Sequence, residues 1–429
     1  MKVAIVGSGI AGLGAAYALR GKAEITLLEA GDYFGGHTHT VDIHLSTPTG
    51  LVTQGIDTGF LVFNERTYPQ LIALFAELGV LTVKSDMSFS VQAPHAMGQR
   101  TLEWSGSSLN TVFAQRSNLV NPRFLRMLRD VKRFNQLATD IALRNAESEL
   151  MQPLSGFLER HQLSTEFRNW YLLPMLGCIW SCPTDQMLQF PVATMIRFCH
   201  NHGLLQMTNR PQWWTVKGGA RQYVEKIVSH IRDKRLNNPV QRVMRDALGV
   251  NLTVNGQTER FDKVILASHS DQSLNLLGDA SSQERAVLGA IRYQPNRAVL
   301  HTDTSVLPKK RRAWAAWNYE RAADVRQDAS QVCLHYLINK LQPLPFDTPV
   351  VVSLNPLHAI DPLSIHGSFE YAHPVFDLAA IRAQSQLPQL QGQQHTYFCG
   401  AWAGYGFHED GLKSGLAAAN ALLQHSASH

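Results

Sequence analysis

The sequence predicts an α/β fold in which one parallel-sheet domain is assembled from three separated segments, with a mixed α+β domain inserted between them. Three observations predict it. Gly7, Gly9 and Gly12 stand between a short apolar run and a small-residue run at the start of the chain. Strand and helix patterns of the same kind return after about residue 212, and the chain finishes with strand, glycine-rich loop and helix. With 429 residues the chain suits two or three compact units and can bury a large ligand.

Taken in order, Lys2 to Val6 reads as a buried strand, Ile10 to Arg20 as a helix, and Glu24 to Leu28 as a second strand ending in Glu29. From Thr67 the spacing of Tyr68, Leu71, Ile72, Leu74, Phe75 and Leu78 predicts an amphipathic helix that Gly79 stops. Helical and aromatic segments continue to about Arg210. One of them, Pro122 to Asn145, puts Phe124, Leu128, Val131, Phe134, Ala138 and Ile141 on one face and Arg126, Arg129 and Arg133 on another. That pattern suits a solvated basic face over a packed core, or a helix lying on a membrane surface. After Lys217, Gly218 and Gly219 come a helix from Tyr223 to Ile231, a strand at Val250 to Val254 and an apolar strand at Val264 to Ala267. A Trp- and Pro-rich region spans about Tyr293 to Gln391. Strand Thr396 to Cys399 and helix Gly411 to Leu423 close the chain. The expected division gives residues 1–66, 212–285 and 393–429 to the parallel-sheet domain, and 67–211 and 286–392 to the inserted domain.

Gly7, Gly9 and Gly12 spell G-x-G-x-x-G in the strand–turn–helix context of a Rossmann-type dinucleotide site. Glycines there permit the tight turn and let backbone N–H groups at Gly9, Ile10 and Ala11 approach a diphosphate. Glu29 follows about twenty residues later, where a carboxylate followed by Ala30 accepts ribose hydroxyls and disfavours a 2′-phosphate. A second glycine pair, Gly35-Gly36-His37-Thr38, and the segment Asp57-Thr58-Gly59-Phe60 come soon after. A bare NAD site needs neither, so FAD is the expected cofactor. His37 is a candidate for the cofactor phosphates or ribityl hydroxyls, or an ordinary loop histidine. No second strand–G-x-G-x-x-G–helix unit follows, so FAD is expected to oxidise the substrate, with electrons passing to dioxygen, a quinone or a carrier.

These residues resemble the superfamily of FAD-dependent amine oxidases, protoporphyrinogen oxidases and phytoene-type desaturases. Its E-A-x(n)-G-G block and D-x-G segment are matched by Glu29, Ala30, Gly35, Gly36 and Asp57. Over nearly the whole chain the sequence is similar to bacterial NAD/FAD-binding flavoproteins that resemble the N-terminal part of plant cyclopropane-fatty-acid synthases. The stretches that carry this are Pro174 to Pro183, Asn201 to Leu205, Lys217 to Gly219, Tyr293 to Asn296 and Gly404 to Gly415. The resemblance implies that Val240 meets the adenine through its backbone and that Ala267 to His269 lie near the adenosine. It also implies that Gly400 and the Gly404 to Gly415 segment, with Gly411, Leu412 and Ser414, flank the isoalloxazine and ribityl chain. Most amine oxidases carry an acid after the glycine of the last strand. Here Ala401 and Trp402 follow Gly400, so Glu409 or Asp410 is expected to supply that contact. The usual lysine near flavin N5 is missing around Asn296 to Val299, leaving Lys217 or Lys413 as substitutes. Phe407 and His408 stand where paired aromatics are expected. His408 is the candidate catalytic base, or else a histidine bonded to flavin or backbone. The resemblance further implies a fatty-acyl or other apolar lipid substrate, oxidised or desaturated. The alternatives are an amine or isoprenoid substrate, or a flavin-bearing partner of a lipid-modifying methyltransferase.

Composition narrows the remaining classes. A net charge of +5 without a dense basic block argues against nucleic acid and leaves at most peripheral contact with an anionic membrane. Five cysteines without C-x-x-C spacing, and no carboxylate–histidine cluster with ligand spacing, predict no disulfide framework and no metal site. The glycine motif leaves no room for a cleaved leader and no run is long enough to span a bilayer, so a cytoplasmic, at most membrane-peripheral, protein is expected. Trp170, Trp180, Trp213, Trp214, Trp314 and Trp317, in or beside the inserted domain, are read as an apolar channel lining or as core.

Overall fold

The computed structural model describes residues 1–48, 50–98, 100–144, 152–206, 210–324 and 331–427. A five-stranded parallel sheet lies at its centre, in the order Asp233–Arg235, Glu24–Leu28, Lys2–Val6, Lys263–Leu266, Thr396–Phe398. Four successive residues of the first strand are buried, as a strand covered on both faces requires. Helix Ile10–Leu19 is apolar all round because other helices and the sheet enclose it.

The last helix, His408–Ala427, packs along the first one. Small residues permit the contact. A Cβ on Gly415 would fall 2.0 Å from the carbonyl oxygen of Ala11, and one on Gly14 would fall 2.6 Å from Leu412. The two ends of the chain are therefore locked together directly above the glycine turn.

A three-stranded antiparallel sheet (Val240–Asp246, Gly249–Val254, Gln257–Phe261) covers one side. The last of its strands carried no clear sequence signal, because Gln257–Phe261 is mostly polar and half exposed. The inserted region forms a seven-stranded sheet in the order Ile365–Val375, Arg292–His301, Val351–Leu354, Cys333–Leu337, Trp317–Glu320, Phe89–Met97, Arg100–Ser105. A helical layer backs it. In that layer helix Pro122–Arg144 turns Phe124, Met127, Phe134, Ala138 and Ile141 into the core and leaves Arg126, Arg129 and Arg133 outside, so the apolar face is occupied by protein. Asn145 of the expected helix lies outside the described residues.

A small sheet crosses the division expected at residues 66–67 and 211–212: Trp213–Val216 pairs with both Phe63–Asn64 and Thr82–Ser85. Among the described residues no helix is long and apolar enough to cross a membrane. We expect Gly415→Val to cost about 1–3 kcal/mol through overpacking against Ala11 and to lower Tm by several degrees. An unchanged Tm in calorimetry would contradict this account of the helix contact.

Candidate active site

One cavity of about 690 Å³ runs between the parallel sheet and the inserted region. Its polar end begins where the first strand stops. Gly7 takes φ +101°, which suits glycine, and its N–H donates to the carbonyl of Leu28. A Cβ on Gly12 would fall 1.9 Å from the Gly7 carbonyl oxygen, so the helix sits hard against the turn. Gly9 at the N-cap has no side chain to satisfy the first-turn N–H groups, which lack intrahelical acceptors, and Gly7, Gly9, Ile10 and Ala11 line the cavity at this helix start.

Glu29 stands at the end of the second strand and also lines the cavity. Its Oε2 accepts from the Ser8 amide and hydroxyl at 2.9 and 2.5 Å, and its Oε1 from the Gly31 amide at 2.9 Å. Ionised carboxylates offer about four lone-pair sites, so acceptor capacity remains for a ribose hydroxyl. The Gly35-Gly36 turn pairs back on Gly9, and its Gly35 amide donates to Ser8. Ala30, His37, Gly59, Phe60, Val240, Ala267 and Gly400 complete this end. His37 Nε2 is buried without a hydrogen-bond partner, the kind of orphan that a polar ligand group satisfies.

Other residues singled out from the sequence do not reach the cavity. Buried Asp57 accepts from Thr40, from the Ala220 amide at 2.9 Å and from Gln342 at 3.0 Å, fastening the 217–221 turn. Burial pushes its carboxyl up to about 7 despite these donors. Thr58 bonds Tyr371 at 2.7 Å. Glu409 accepts from the amides of Gln70 and Leu71 at 2.9 and 3.0 Å, capping helix Pro69–Leu78, and Asp410 accepts from the Phe407 amide at 3.0 Å. Neither acid replaces the missing ribityl contact. The last helix begins at His408, three residues earlier than its apolar pattern predicts, and that carries both acids away from the loop. Gly411 and Leu412 pack on Ile10 and Gly14, and the Ser414 hydroxyl accepts from the Gly400 amide at 3.1 Å. Lys217 and Lys413 are exposed and outside the cavity, so neither substitutes for the missing lysine.

His408 lines the cavity with its ring stacked on Phe60, centroids 3.7 Å apart. Its Nε2 is held 2.9 Å from both Thr38 Oγ1 and Tyr223 OH, and burial lowers its pKa to about 3. This geometry gives His408 the work of holding the 37–38 loop to helix Arg221–Ser229. Two hydroxyl partners hold the ring in place, and burial disfavours its protonated form.

The opposite end is apolar: Trp213, Trp317 and Phe407, singled out from the sequence, line it together with Met87, Tyr68 and Phe198, which were not expected there. Of the tryptophans, Trp170 and Trp180 are core. His202 stands in this end, 3.8 Å from the Phe198 ring. A carbonyl only accepts, so the 3.0 Å contact to Phe198 O means that Nδ1 carries the proton and Nε2 keeps its lone pair. Burial lowers this ring to about 4. His269, stacked on Tyr293, and His373, bonded through Nδ1 to Asn296, stand nearer His37 and are likewise held neutral by burial.

Outside the cavity, Glu320, Cys333 and His335 converge across two strands. Hydrogen-bond polarity accounts for them. The Asp303 amide donates to His301 Nδ1, His301 Nε2–H to Ser353, the Ser353 hydroxyl to His335 Nδ1, and His335 Nε2–H to Glu320.

A profile described as "Flavin containing amine oxidoreductase" matches residues 10–310. Cyclohexylamine oxidase from Brevibacterium oxydans IH-35A is similar in structure, with 18% identity, 99% of each chain covered and TM-score 0.69. Putrescine oxidase bound to putrescine gives 16%, 99% of each chain and 0.69. A CLA-producing fatty acid isomerase from P. acnes gives 15%, 97% of each chain and 0.66. No curated protein sequence matches, and the expected likeness to cyclopropane-fatty-acid synthases is not among these findings. The glycine turn, the acceptor Glu29 and the orphaned His37 nitrogen fit FAD. Glu29→Ala is expected to weaken FAD about tenfold or more, the worth of a charged hydrogen bond. Fluorescence titration of the flavin-free chain checks this, and unchanged affinity would remove Glu29 from the site.

Proposed function

The chain belongs to the flavin-containing amine oxidoreductase family and is an FAD-dependent oxidoreductase, and from that premise we propose that it oxidises an uncharged, largely apolar substrate of the fatty-acyl or lipid class. One observation carries the proposal: Glu29, at the cofactor end, is the only Asp, Glu, Lys or Arg among the described residues that line the cavity. A substrate bearing a full charge would enter the apolar end without a counter-ion, at a cost of several kcal/mol in desolvation.

When bound, FAD supplies the acceptor for a hydride leaving a substrate C–H bond. The apolar wall excludes water from that end. His202 Nε2 accepts a hydrogen bond from a substrate O–H or N–H and takes the proton if one leaves with the hydride. His408 positions the loop that carries His37. The electrons pass on to dioxygen, a quinone or a carrier.

A second reading, amine oxidation, is supported by the aromatic faces of Phe198, Phe407 and Trp213, which attract a cationic head, and by the two amine oxidases of like fold. Anaerobic mixing separates the readings. Lipid extract bleaches the oxidised flavin if the proposal is right, and polyamines or cyclohexylamine bleach it under the second reading. Bleaching by neither leaves a flavin-bearing partner of a lipid-modifying methyltransferase.

His202 acts only as the neutral ring. The rate of flavin reduction with the active substrate is therefore expected to rise with pH through about 4 and to be flat near neutrality. His202→Ala is expected to slow it about a hundredfold. A variant as fast as the parent, with full flavin content, removes His202 from the chemistry.

A further inference from the structure

Remote from the flavin cavity lies a groove lined by Met97, Arg100, Arg116, Asn121 and the run Lys309 to Arg312. Its ionic side chains are all cations, and all six are exposed. The nearby Glu103 does not offset them from the surface. It is buried, and its carboxylate accepts from the backbone amides of Lys309 and Lys310 at 2.8 and 3.0 Å. That contact arches the run outward and leaves its four side chains in solvent.

The rim of the same groove is apolar. Val120 is 84% exposed and Leu119 51%, in the short helical turn Arg116–Val120 that lines the groove through Arg116. Leu109 is 79% exposed, in a short helix packed beside Arg311–Ala313. Isolated exposed leucines are ordinary, but apolar side chains fringing an acid-free cationic groove are the arrangement that an anionic bilayer surface selects. Cations gather near the headgroups while the apolar tips enter the acyl boundary. A nucleic acid would use the cations and leave Leu109, Leu119 and Val120 in water.

We propose that this groove and its rim dock the protein on an anionic lipid surface, with Arg100, Arg116 and Lys309 to Arg312 on headgroup phosphates and Leu109, Leu119 and Val120 inserted. The docking is peripheral and salt-sensitive, since it rests on exposed charges. It does not depend on which substrate the flavin oxidises.

The test is flotation of the FAD-loaded full chain with vesicles of equal parts phosphatidylcholine and phosphatidylglycerol, against phosphatidylcholine alone. The native chain is expected to float with the anionic vesicles at low salt, to leave them at high salt, and to ignore phosphatidylcholine. Replacing Lys309→Glu together with Arg312→Glu should lower partition about tenfold or more, and Val120→Asp should lower it severalfold. Flavin absorbance reports whether each variant is folded. Equal flotation on both vesicle types, or folded variants that float like the native chain, overturns the proposal. So does tight binding of an oligouridylate that the charge variant loses and Val120→Asp keeps, without any flotation.

Discussion

The structure depends on the close crossing of its first and last helices. Helix Ile10–Leu19 starts at the glycine turn, and helix His408–Ala427 can reach it only because Gly14 and Gly415 carry no side chain. That contact brings residues almost four hundred positions apart onto one cavity. Ile10 and Ala11 line it from one terminus, Gly400, Phe407 and His408 from the other. The cofactor site therefore exists only in the completed fold, and the loop-closure entropy is offset by burial along the whole helix pair.

From this crossing follows the division of labour inside the cavity. One end offers backbone N–H groups, the Glu29 carboxylate and an unpartnered His37 nitrogen, as a diphosphate and ribose require. The other is walled by aromatic and aliphatic side chains from the seven-stranded sheet and the helical layer. Burial keeps His37, His202, His373 and His408 below the ordinary imidazole range. They therefore act as neutral hydrogen-bonding groups, and the Phe198 carbonyl fixes the His202 tautomer that leaves a lone pair on Nε2.

The first three elements were legible in the sequence because their causes are local: an apolar run, glycines at fixed spacing, and an acid about twenty residues on. The role of Glu409 was not legible, because it caps helix Pro69–Leu78, more than three hundred residues away. The start of the last helix was misjudged since apolar periodicity begins at Gly411, whereas Asp410 bonds the Phe407 amide and fixes the helix from His408. The apolar wall was only partly legible, through Trp213, Trp317 and Phe407, for a related reason. Met87, Phe198, Trp317 and Phe407 have ordinary core identities, and only the topology turns them toward one cavity. Asp57 carried a motif-level signal, yet its carboxylate is spent on Ala220 and Gln342. A motif residue can mark a site while touching only its scaffold.

The measurement that bears most directly on the central claim is the flavin stoichiometry of the purified full-length chain after incubation with excess FAD and removal of the unbound fraction. A site built jointly by both termini predicts one tightly held FAD per chain, with a resolved protein-bound absorbance spectrum. A folded chain that stays colourless would contradict it.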